Sequence, residues 1–102
     1  MTYLEELQDE IRRVHGVEAT HVESVPVTEI FEGRTVWEGV VEVFDLIDHP
    51  TAMRAYAWSR DTDDPANPKR LVTVLHLHPI KSAQDAVKVA MIQEFRSVEP
   101  AD

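Results

Sequence analysis

Residues 35–60 read TVWEGVVEVFDLIDHPTAMRAYAWSR, and the way this stretch folds back on itself decides what the molecule shows to its surroundings. Residues 35–47 are rich in Val, Trp and Phe with Glu38 and Glu42 alternating among them, which predicts a strand. Asp48-His49-Pro50 is a turn signal. Residues 51–60 follow as a second strand. Period-two alternation puts Arg54, Tyr56, Trp58 and Arg60 on one side, and Met53, Ala55, Ala57 and Ser59 on the other. A hairpin turning on His49 pairs Glu38 with Arg60, Val40 with Trp58, Glu42 with Tyr56 and Phe44 with Arg54. A one-residue slip, such as a bulge near Asp45 would introduce, exchanges the two faces.

Upstream of this hairpin, residues 19–31 (ATHVESVPVTEIF) read as an extended segment. Pro26 removes one backbone donor, so the segment is an edge strand or a strand broken there. Glu32-Gly33-Arg34 is a short turn. Before it, Thr2 and Glu5 form a capping-box pattern. Leu4, Leu7, Ile11 and Val14 then recur at helical spacing, acids lie early, Arg12, Arg13 and His15 lie late, and Gly16 is a stop signal. A helix over 2–15 follows. Downstream, residues 61–68 (DTDDPANP) have loop composition, and 70–78 (RLVTVLHLH) read as another strand. Ser82 is an N-cap for a final helix with the stripe Ala83, Ala86, Val87, Ala90, Met91, Phe95 and Val98. Residues 99–102 are a frayed tail.

The order is therefore helix, three or four antiparallel strands, helix, in a single α+β domain over 1–102. The simplest packing is a two-layer sandwich with both helices on one sheet face. Trp37, Val41, Val43, Leu71, Leu75 and Leu77 then form the core with the small face of residues 51–60. The opposite face stays open. It carries Val40, Phe44, Tyr56, Trp58, Val72 and Val74, bordered by Glu38, Glu42, Arg54, Arg60 and His76. An apolar patch rich in aromatics and arginine reads as an interface, for self-association as a homodimer or for a partner protein.

The element order resembles that of the double-stranded-RNA-binding fold. That family holds RNA with lysines at the start of its last helix. The corresponding stretch here, residues 81–88, reads KSAQDAVK, with Lys81 and Lys88 as its only bases and Asp85 among them. The balance of charge also opposes phosphate. The chain of 102 residues has a net charge of -9, and residues 1–50 hold all of that surplus, so repulsion comes from the first half. Nucleic-acid binding through Arg54, Tyr56, Trp58 and Arg60, with aromatics stacking bases and arginines holding phosphates, is the alternative reading.

A second alternative is a metal or small-ligand site. His76-x-His78 puts two imidazoles on one strand face, a spacing that can share a zinc ion if His21, Glu23 or Glu42 supplies a third ligand. No other cofactor is implied. Residues 61–67 are rich in oxygen ligands but lack the Gly and Glu of an EF-hand loop, so they read as a solvated turn. No phosphate loop, nucleophile elbow or catalytic constellation is legible. The absence of cysteine excludes thiol chemistry and disulfides,. With no apolar run long enough to span a bilayer and an acidic first ten residues, the expectation is a cytoplasmic protein without a membrane partner.

Overall fold

A computed structural model describes residues 2–98, with side chains described over 2–93. The expected side-chain positions of Phe95 and Val98, and the tail 99–102, lie outside the described residues. Helix α1 spans Tyr3–His15. It is followed by β1 (Ala19–Phe31), β2 (Arg34–Leu46), β3 (Arg54–Asp61), β4 (Lys69–Leu75) and helix α2 (Ala83–Val98). The strands form one antiparallel sheet in the order β1-β2-β3-β4. The α+β class and the helix, strands, helix order are as the sequence implies.

The helix ends follow from local chemistry. The Thr2 hydroxyl accepts from the Glu5 amide at 3.2 Å while the Glu5 carboxylate takes the Thr2 amide, so the capping box is complete. Gly16 closes α1 in the left-handed conformation, with its amide on the Arg12 carbonyl at 2.9 Å. At the start of α2 the Ser82 hydroxyl accepts from the Asp85 amide at 3.1 Å. The β1–β2 turn uses Glu32 and Gly33, both at positive φ, the backbone that a tight hairpin loop requires.

The register of the central hairpin differs from the expected one by one residue. Val43 pairs with Tyr56, Phe44 with Ala55 and Asp45 with Arg54. The cause lies in the turn. The Leu46 amide donates to the Met53 carbonyl at 2.9 Å, so the chain reverses over 47–52, an even number of residues, where a turn centred on His49 needs an odd one. That loop closes on the His49 ring, whose Nδ1 accepts from the amides of Thr51 (3.1 Å) and Ala52 (2.9 Å), with Asp48 at positive φ. β3 accordingly starts at Arg54 rather than 51, and Met53 is 84% exposed.

The slip changes the layers. Both helices on one sheet face, as in the two-layer sandwich, is not what forms. Ala55 and Ala57 pack with Phe44, Leu7 and Ile11 under α1. Tyr56 and Trp58 pack with Val41, Val43, Ala86, Val87 and Met91 under α2. Neighbouring residues of a strand point to opposite faces, so α1 and α2 lie on opposite sides of the sheet. The likeness to the double-stranded-RNA-binding fold stops at element order. The physical reason is visible in β2, where Val41, Val43 and Phe44 are all buried. A strand apolar on both faces needs cover on both.

Candidate functional site

The expected open face does not exist as a surface. Phe44 is fully buried under α1, with His21 edge-on to its ring at 5.4 Å. Tyr56 and Trp58 are buried under α2, and Val72 and Val74 are half-buried beside them on β4. Val40 is 46% exposed, on the other face from Tyr56 and Trp58. Arg54 is half-buried and pairs with Asp45 at 3.2 Å. Arg60 is half-buried and lines an open cleft of about 480 Å³ where β2 and β3 diverge beyond their last paired residues. Arg54, Tyr56, Trp58 and Arg60 share one side of β3, as expected, but the two aromatic rings are covered by α2. They present no stacking platform.

The histidine pair is also separated. β4 ends at Leu75, so His76 and His78 lie beyond the strand. The His76 amide bonds the Arg54 carbonyl at 2.9 Å, and its Nδ1 lies 2.6 Å from the Tyr56 hydroxyl. Burial pushes the Tyr56 phenol above its ordinary value, so it keeps its proton and shares one hydrogen bond with the His76 ring. His78 is exposed in the following turn. His21 and Glu42 face the α1 side, where His21 Nε2 and the Ser24 hydroxyl both bond the buried Glu42 carboxylate. Among the described residues no group of three or more metal-ligating side chains comes together.

What the structure offers instead is an edge. The two outer strands differ in how they meet solvent. β1 carries Pro26 and is irregular at two places, between His21 and Glu23 and between Glu29 and Ile30. The Ile47 amide bonds the Glu18 carbonyl at 3.0 Å, which makes odd-numbered residues of β2 the ones that bond β1. Pro26, opposite Val40, therefore sits in a non-bonded pair, with its missing N–H on the outer edge. Irregularity and proline are the devices by which natural sheets blunt an edge.

β4 has neither. Its register against β3 is regular from Leu75 to Lys69. The His76 amide bonds Arg54 and the Thr62 amide bonds the Pro68 carbonyl, both at 2.9 Å. Even-numbered positions of β4 are thus the bonded pairs, and Lys69, Leu71 and Thr73 turn their N–H and C=O groups outward, while Leu75 turns out its N–H and its C=O accepts from the Leu77 amide at 3.0 Å. The segment Leu71-Val72-Thr73-Val74-Leu75 is β-branched or aliphatic throughout. A helix overhangs it on each side. Glu10, Arg13 and Val14 of α1 and Ala90 and Gln93 of α2 wall an open groove of about 880 Å³ whose floor is β4. α1 is fixed over this strand at both ends. Lys69 lies over the Tyr3 ring at 5.3 Å, and the His15 Nε2 meets the Thr73 hydroxyl at 2.7 Å. Arg13 forms an ion pair with Glu10, its Nε donating at 3.0 Å.

The sequence reading passed over this edge because it looked for exposed side chains. The signal present was the contrast between a proline-bearing outer strand and a proline-free one. No protein-family model matches the chain, and no curated protein or solved structure matches it. Among the described residues no helix is long and apolar enough to cross a membrane.

Proposed function

We propose that the chain is a protein-interaction module that takes up an extended segment along the free edge of β4, in the groove between α1 and α2. The observation that carries this reading is the asymmetry of the two sheet edges. β1 is blunted by Pro26 and its irregularities, while β4 is regular, apolar and, among the described residues, unpaired on its outer side. Strand addition at such an edge supplies affinity through main-chain bonds and selectivity through alternate side chains. Here the main-chain groups are those of Lys69, Leu71 and Thr73, with the amide of Leu75. The walls supply the side-chain contacts. The interaction role expected from the sequence is kept, and its place moves from the sheet face to the sheet edge. The chain contains no cysteine, so this association needs no oxidising compartment and suits a cytoplasmic protein.

The test is titration of the isotope-labelled protein with a synthetic peptide of sequence LVTVL, followed by amide resonances. The amides of Leu71 and Thr73 are expected to shift and gain protection, with those of Val72 and Val74 little changed. Thr73→Pro removes an outward N–H and should abolish binding. Thr73→Val, which keeps the N–H and loses only the hydroxyl, should bind. Absence of any shift at millimolar peptide overturns the reading.

A further inference from the structure

We infer that the segment taken up by the β4 edge is β4 of a second copy, antiparallel about a two-fold axis at Val72. This rests on the edge reading above and names its partner. An isologous contact requires a surface that complements itself under rotation, and β4 meets that requirement in three ways.

The first is the strand. Rotation about Val72 sets Leu71 against Thr73, whose outward N–H and C=O groups meet those of the partner, and Lys69 against Leu75, which offers its N–H alone because its C=O accepts from Leu77. On the α2 side Val72 meets itself, which extends the apolar floor, and Val74 meets Arg70 at the rim, where Arg70 is exposed.

The second is helix spacing. Paired strands lie about 4.8 Å apart. α1 packs over β3 and β4, against Ala55, Ala57, Leu71 and Leu75, which places it roughly 5 Å from such an axis. Its copy then lies about 10 Å away, an ordinary distance between packed helices. The two α1 helices can therefore lie side by side over the joined sheet.

The third is charge. α1 runs in the same direction as β4, from Tyr3 near Ser59 and Lys69 to His15 on Thr73. Two α1 helices related by this axis run antiparallel, with Glu10 of one copy beside Arg13 of the other. The Glu10–Arg13 ion pair of each α1 then faces its copy head to tail, so each charge gains a second opposite neighbour across the axis. The net charge of the whole chain is -9, which opposes association at long range, so a local match of this kind is needed for two copies to join.

The experiment is sedimentation of the full chain from micromolar to millimolar concentration, with three variants of α1 and the LVTVL titration run in parallel. Dimer mass is expected for the unmodified chain. Arg13→Glu and Glu10→Arg each set like charges across the axis and should weaken association at least tenfold. The double swap, Glu10→Arg with Arg13→Glu, should restore it. Arg13 is exposed and Glu10 is partly covered, so thermal unfolding of each variant is measured to confirm that the fold is retained. A monomer that still binds the peptide overturns the second copy as partner and leaves the edge reading standing. A monomer that ignores the peptide overturns both. A dimer unaffected by the charge reversals and by Thr73→Pro lies elsewhere on the molecule and overturns this inference.

Discussion

Val43 lies directly opposite Tyr56 across the β2–β3 pairing. This one pairing settles which way β3 faces. It sends Tyr56 and Trp58 under α2 and Ala55 and Ala57 under α1. The small side of β3 receives a helix, as its alanines indicate. The large side receives one too.

Trp58 is therefore a core residue and not a contact residue. Trp58→Ala should cost about 3–5 kcal/mol of stability, in the range for deletion of a buried large aromatic. That is a large part of the margin of a small domain. Urea unfolding measures it. A variant that keeps its stability and changes only its state of association would place Trp58 on the surface and contradict the register.

The same register predicts an alternation of amide protection in β4. In dilute solution, where the edge is unoccupied, the amides of Val72 and Val74 are bonded to β3 and should exchange slowly. Those of Leu71 and Thr73 face outward and should exchange faster. Hydrogen exchange resolved by residue checks this. Reversed protection would shift β4 by one residue and remove the groove floor described above.

The first helix was legible from the chain because its signals are local. Thr2, Glu5 and Gly16 act within one turn of themselves, and each does what its type and spacing indicate. The strands were legible from composition, apart from the start of β3 and the end of β4. The faces were not, because the sign of the hairpin register depends on a loop whose length is set by the His49 ring taking two backbone amides. Nothing in the composition of Asp48-His49-Pro50 separates that loop from a turn one residue shorter. The buried run Val41, Val43 and Phe44 held the missing clue. Apolar residues on both sides of β2 indicate two covers, which the two-layer reading set aside.

The capping box has a measurable share in stability. Thr2→Ala removes the acceptor for the Glu5 amide and the hydroxyl that donates to the Glu5 carboxylate, which keeps its bond from the backbone amide of residue 2. Removal of such a cap costs about 0.5–2 kcal/mol. Chemical denaturation should show that loss with an unchanged dependence on denaturant. No change would mean that Glu5 or water substitutes for the hydroxyl.

His15 gives the fold a dependence on acid. Burial against Thr73, and then the neighbouring His49, hold its imidazole below its ordinary value, with Glu10 acting the other way. An unperturbed imidazole titrates near about 6.5. As the pH falls through that value the unfolded chain takes up the proton first, so this contribution is whole above about 6.5 and declines below it. His15→Gln, whose amide can still meet Thr73, should flatten the loss of stability between about pH 6.5 and 5. Unfolding measured across that window decides it. An unchanged slope would assign the dependence to other groups.

Pro26 bears on how far such a protein can assemble. It stands at the middle of β1 with its ring where a donor would otherwise face outward. A chain with one receptive border and one capped border has a valence of one. Once two copies have joined, both remaining borders are capped, and a third has nowhere to add. Raising the concentration then fills pairs and does not lengthen a fibre. Under the two-fold pairing proposed above, Pro26 is what would hold the assembly to a pair.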